Sequence, residues 1–118
     1  MYLLLVKLNS YLNNMKPNLL FLTCANQEEA DKIAAALLEK KLVVCVKKSP
    51  INSDFLWQGK IDHASEILLV MDSKEELFDQ VEQEVKRLHS YDTPNLVSVL
   101  VSQSSAGVTE WMRQELKK

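Results

Sequence analysis

At 118 residues, 47% of them hydrophobic, the chain is long enough for a single domain with one apolar core. The formal net charge is −2 and the basic residues are dispersed among acidic ones, so there is no electrostatic footprint for a phosphate backbone or an anionic bilayer; neither nucleic acid nor membrane is an expected partner. The two cysteines, Cys24 and Cys45, lie in separate apolar runs with no metal-type C-x-x-C spacing, which speaks against a disulfide framework and, without a secretory signature, for free thiols in the cytoplasm.

The chain opens on MYLLLV, an apolar run interrupted at Lys7 and Asn9 and followed by no small-residue cleavage pattern, so it reads as neither a membrane span nor a signal peptide. Residues 1–18 are taken as an N-terminal extension of uncertain order, with Met15 as an alternative start and 1–14 expected to be dispensable for folding. LLFLTC (19–24) is a continuous apolar run that suits a strand buried on both faces. Asn26 with Glu29 three residues on is a helix-capping signature, and Ala30, Ile33, Ala34, Leu37 and Leu38 then recur at helical spacing.

LVVCVKK (42–48) is β-branched and predicts a second strand that Ser49-Pro50 should bend or place at a sheet edge. The chain stays extended through FLW. Gln58-Gly59 then supplies a tight hairpin before KID, so an arm protrudes from the domain. EILLVMD (66–72) predicts a third strand. Ser73 with Glu76 repeats the capping signature ahead of a helix with Leu77, Phe78, Val81, Val85 and Leu88 on its inner face. LVSVLVS (96–102) predicts a fourth strand, and a short helix from near Ser105 presents Val108, Trp111, Met112 and Leu116 on one side. The order β-α-β-β-α-β plus a helix is the α+β, ferredoxin-like arrangement, placed over residues 19–118.

No phosphate loop, nucleophile elbow or dinucleotide fingerprint occurs, and both arginines, Arg87 and Arg113, fall on predicted helices; the chain is not expected to be an enzyme. The central strands LLFLTC and EILLVMD offer one aromatic between them, too few to stack bases. Cys24 and Cys45 fit small buried hydrophobes better than ligands, and His63 fits a solvated side chain. The segment LHSYDTPNL (88–96) supports two readings equally. His89 and Asp92 are competent ligands for a borderline divalent ion. Alternatively His89 ends the helix and Tyr91-Asp92-Thr93-Pro94 builds the turn into the last strand. Trp57, on an arm with little core to enter, is either exposed or covered by another chain.

LTCANQEEADKIAAALLEKKLVVCV, FLWQGKI, ASEILLVMDS, LHSYDTPNLVSVLV and the terminal TEWM, taken together over residues 19–117, resemble the CutA family of divalent-cation tolerance proteins. The resemblance implies a ferredoxin-like protomer similar to the nitrogen-regulatory PII proteins, assembled as a homotrimer through its arms, cytoplasmic, and linked to tolerance of copper and other divalent metals. By it, Cys45 matches the strand-two cysteine; Trp57, Gly59 and Lys60 the arm motif; Glu66 the acidic residue opening strand three; His89, Tyr91 and Pro94 the loop motif; and Trp111 the aromatic of the last helix.

The chain also departs from the family pattern. Ser90 replaces the loop's first proline, and Asn95 stands where a glutamate is usual. Lys47, Lys48 and Ser49-Pro50 replace a more neutral, glycine-containing segment. Thr23 occupies the place of a metal-binding cysteine, with Cys24 beside it. The expectation is therefore a weak site for Cu(II) or another divalent metal at His89 and Asp92, assisted by the Cys45 thiol. An intersubunit cleft is expected at Trp57, Lys60, Glu66, His89 and Tyr91, with Gly59 in the oligomer arm and Pro94 in a structural turn. A trimer that binds a small ligand, or acts as a scaffold, with no physiological metal is the alternative.

Overall fold

The computed structural model describes residues 15–118. The expected dispensability of 1–14 lies outside the described residues. Strand β1 (Pro17–Cys24) leads into helix α1 (Gln27–Glu39); strands β2 (Cys45–Trp57) and β3 (Lys60–Lys74) form the hairpin arm; a 3-10 turn (Glu75–Leu77) opens helix α2 (Phe78–Leu88); strand β4 (Leu96–Leu100) and helix α3 (Val108–Glu115) follow. The four strands are antiparallel in the order β2-β3-β1-β4, the ferredoxin-like α+β arrangement that the element order predicts. Among the described residues no helix is long and apolar enough to cross a membrane.

One face of the sheet is covered. Leu20, Leu22 and Cys24 of β1 lie in register with Met71, Leu69 and Ile67 of β3. They pack with Ala30, Ile33 and Leu37 of α1, Leu77, Val81 and Val85 of the second helical segment, and Met112 and Leu116 at the C-terminal end. The pleat sends the alternate residues Leu19, Phe21, Leu68 and Val70 to the opposite face, beside Val97 and Val99 of β4, where no helix among the described residues covers them. Among the described residues the apolar run 19–24 is thus fully buried on one face and half-buried on the other.

Several local expectations are revised. β1 begins at Pro17, ahead of the boundary placed at residue 19; Lys16 donates its backbone N–H to Glu76, and Met15 packs against the core. Leu42 and Val43 are buried but precede β2, because the Leu42 N–H reaches back to the Leu37 carbonyl and the Lys41 N–H to that of Leu38. These bonds close α1 with a left-handed lysine, Lys41 at φ 58°, where glycine would be the usual choice. Pro50, by contrast, meets one of its two expected outcomes: it lies within β2 opposite Ile67, and β2 is an edge strand, where its lack of an N–H is tolerated. Ser73 is no helix cap. It is a buried residue of β3, opposite Asn18, and its hydroxyl donates to the Leu42 carbonyl at 2.6 Å. On α3, Met112 and Leu116 are buried as predicted, whereas Trp111 is 42% exposed.

The arm is a continuous ladder from Cys45↔Asp72 to Trp57↔Lys60. Gln58 and Gly59 both have positive φ, 52° and 78°, which matches the right-handed twist of the two strands. The arm makes the described chain elongated, 61 × 26 × 22 Å.

Candidate functional site

The loop 89–95 passes over the junction between the end of β1 and the start of α1, and its polar residues divide into two groups. Behind the loop, Asn26 caps α1 by accepting the Glu29 N–H at 2.9 Å. Glu29 answers with both carboxylate oxygens: Oε2 accepts the Ala25 N–H at 2.7 Å and Oε1 the Ser90 N–H at 2.6 Å. Burial alone would raise this carboxyl, but hydrogen bonds from the Ala25 N–H and from the side chain and N–H of Ser90 outweigh it and hold the group below its ordinary value.

His89 is the C-cap of α2, as the turn reading foresaw, yet its imidazole does not serve its own helix. The ring is fully buried and bonds across to β1, Nε2 lying 2.8 Å from the Thr23 carbonyl oxygen. Nδ1 accepts the Tyr91 N–H at 3.1 Å. A carbonyl can only accept and a backbone N–H can only donate, so these contacts fix the neutral Nε2–H tautomer and occupy both ring nitrogens.

The same corner places donor atoms of Cys24, Glu29 and His89 within 4.8 Å of one another, the one such grouping of three among the described residues. Both ring nitrogens of His89 are already engaged by backbone groups, so the imidazole is not free to ligate as it stands. Burial first, then the charges of Glu29 and Glu66, pushes the Cys24 thiol up to about 12 with no metal present. The expected set of His89, Asp92 and Cys45 is not assembled within the chain. Cys45 lies opposite Asp72 on β3 while Cys24 lies opposite Ile67, so the two residues are offset by about 16 Å along the strand direction alone and sit on strands either side of β3. Cys45 instead sits 3.7 Å from the Lys47 ammonium.

In front of the loop the arrangement is open. The Tyr91 ring lies 4.7 Å from that of His89 at an interplanar angle of 53°, and its hydroxyl donates to Glu66 Oε2 at 2.7 Å. Burial first, then the hydrogen bond to Glu66 and its charge, raises the Tyr91 phenol well above its ordinary value, so it remains a donor. Between this pair and the arm runs a cleft of about 560 Å³ lined by Thr23, Asp54, Phe55, Trp57, Asp62, Glu66, Tyr91, Asp92, Thr93 and Asn95. A second hollow of about 390 Å³, lined by Ala25, Asn26, Pro50, Ile51, Asn52 and Ser65 among others, meets it at Glu66.

Of the residues expected in the cleft, the structure therefore joins Trp57, Glu66 and Tyr91, and adds Asp92. His89 lies buried behind Tyr91, and Lys60 is at the hairpin tip opposite Trp57 without lining the cleft. Pro94 lies in the loop, its carbonyl accepting the Leu96 N–H at 3.1 Å, and Gly59 makes the arm turn. Asp54, Phe55 and Asp62 were not foreseen as cleft residues. Alternation along a paired arm places one side of each strand toward the loop, but only the register shows which side. His63, read as solvated, is 71% exposed and pairs across the arm with Asp54 at 2.6 Å.

A split βαβ sheet, a long β2-β3 arm and a loop that walls a cleft against it define a ferredoxin-like protein. Residues 18–115 match the family described as CutA1 divalent ion tolerance protein, and the chain belongs to that family. It is 37% identical over 100 residues to the Divalent-cation tolerance protein CutA of Archaeoglobus fulgidus, covering 85% of this chain and 98% of the relative. It is 34% identical over 95 residues to human Protein CutA, covering 80% of this chain and 53% of that protein, so it spans about half the length of the human relative. Among solved structures, the Archaeoglobus CutA, called periplasmic, superposes with a TM-score of 0.83 at 37% identity over 86% of this chain and 99% of the other. CutA1 from Oryza sativa superposes with 0.84 at 27% identity over 87% and 95%.

Proposed function

We propose that the chain is a non-catalytic homotrimer that takes part in the response to divalent metal ions, copper among them, and that the cleft at the base of the arm is its binding place. The observation that supports the assembly is the apolar surface that the described residues of a single chain leave open. On the arm, Leu56 is 75%, Ile61 70% and Trp57 50% exposed; on β4, Leu100 is 58% exposed and adjoins the uncovered sheet face. Such a surface on an edge strand calls for a partner copy. Light scattering coupled to gel filtration should give three chains per particle. A monomer at micromolar concentration sinks the assembly, and a dimer damages it almost as badly.

Metal enters this reading weakly and through oxygen. With His89 held by backbone and Cys24 fully buried in the core, the groups open to copper(II) are the cleft carboxylates Asp54, Asp62, Glu66 and Asp92, which do not converge as a preformed site. Calorimetric titration with copper(II) should show binding no tighter than micromolar, unchanged in His89→Gln and reduced in Asp92→Asn. Tight binding that His89→Gln abolishes would return the site to the imidazole.

The second reading, a PII-like trimer whose cleft takes a small organic ligand, is favoured by the aromatic residues Trp57, Phe55 and Tyr91 around a carboxylate. The cytoplasm is the compartment proposed, because both thiols are free. Relatives are named as chloroplastic in rice and periplasmic in Archaeoglobus, so compartments differ across the family.

A further inference from the structure

Glu66 is a buried carboxylate with no ion-pair partner among the described residues. Its residue is 7% exposed, and it lines both the cleft and the adjoining hollow. Tyr91 is its single partner there, and Oε1 accepts no hydrogen bond. A desolvated carboxylate normally keeps a cation or several donors beside it. The other buried acid of the fold does so: Glu84 is held by Lys40 and Arg87. Within the described chain Glu66 has no such partner, and its side chain lines the cleft.

The surroundings decide which kind of cation suits Glu66. A bare divalent ion needs several converging ligand atoms, and the one group of three His, Cys, Asp or Glu donors among the described residues is at Cys24, Glu29 and His89, without Glu66. An organic ammonium needs less: one carboxylate for its N–H groups and an apolar or aromatic wall for its carbon chain. The cleft supplies both, with Trp57 and Phe55 on the arm facing a volume of about 560 Å³, the size of a small-molecule site.

We propose that this cleft binds a small organic ammonium ion, its N–H donating to Glu66 Oε1 and its carbon chain lying against Trp57. The proposal rests on the small-ligand reading of the cleft, and names the class of ligand for it. Glu66→Gln keeps the side-chain volume and an acceptor for Tyr91 while removing the charge.

The test uses the full chain carrying Trp111→Phe, which leaves Trp57 as the one tryptophan, titrated with 1,4-diaminobutane, with uncharged 1,4-butanediol and with copper(II). The diamine should change Trp57 fluorescence saturably, with affinity about tenfold weaker in the added Glu66→Gln variant, and butanediol should not. No saturable response to the diamine, an equal response in Glu66→Gln, or an equal response to butanediol overturns the proposal. A response to copper(II) alone overturns it while leaving the metal reading in place. A Glu66→Gln variant whose association state changes, with no response to the diamine in its parent, also overturns it, because the carboxylate's cation then belongs to another copy of the chain.

Discussion

The two sides of the 89–95 loop contain the same kinds of residue and behave oppositely. Behind it, His89 and Glu29 have every ring nitrogen and carboxylate oxygen bound to a backbone group or placed against one: Thr23, Tyr91, Ala25 and Ser90. In front of it, Glu66 has one oxygen bonded and Asp92 opens to solvent. Histidine is the residue type most often sought as a ligand, and here it is the one least able to act as one. A polar atom already paired inside the fold contributes to stability; one left unpaired in a cleft is available to a ligand.

The largest expected effect follows from breaking the closed side. His89→Ala leaves the Thr23 carbonyl and the Tyr91 N–H without partners in a buried corner and opens a cavity. It should lower unfolding stability by about 3 kcal/mol in chemical denaturation. A loss near zero would mean the ring is not the staple described. Glu29→Gln comes next, at about 2 kcal/mol, because an amide meets one of the two N–H donors with its own N–H and loses the charge on both bonds. On the open side, Tyr91→Phe removes one hydrogen bond whose acceptor can be rehydrated from the cleft. About 1 kcal/mol or less is expected, measured in the same way. If Tyr91→Phe costs as much as His89→Ala, the contrast between the two sides fails.

The smallest effect lies outside both groups and calibrates them. Hydrogen bonds from Arg87 and then Lys40 bring the Glu84 carboxyl from its ordinary 4.5 down to about 2. A depressed folded value means the contribution is present above 4.5 and is lost as pH falls toward 2, so acid should destabilise the native chain through that window. Glu84→Gln should make the acid limb of an unfolding profile measurably shallower. An unchanged limb would show that the ion pairs contribute nothing in solution.

Much of the fold is legible in the sequence because its signals are local. The 3.6-residue stripe of Ala30, Ile33 and Leu37, the β-branched runs and the Gln58-Gly59 turn each declare an element without reference to the rest. Boundaries were less legible where a distant partner decides. Ser73 carries a capping pattern, yet pairing with Asn18 and the Leu42 carbonyl keeps it in β3.

The site was half legible for the same reason. The Asn26 and Glu29 cap is a short-range motif. That Glu29 also receives the N–H of Ser90, 61 residues on, depends on how α1 and the loop meet in space. Within one chain Trp57, Glu66 and Tyr91 share a cleft that Lys60 at the hairpin tip and His89 behind the loop do not line, whereas the resemblance placed all five between subunits. Cys45 is remote because the register of β2 on β3, which a sequence does not state, sets it opposite Asp72.

The central claim is that His89 is a backbone staple with a fixed tautomer. The ring nitrogen-15 shifts of His89, recorded near neutral pH before and after addition of copper(II), test it most directly. The account predicts a protonated Nε2 and an unprotonated, hydrogen-bonded Nδ1, both unchanged by the metal. A protonated Nδ1 with a free Nε2, or loss of the Nε2 proton when copper(II) is added, would contradict it.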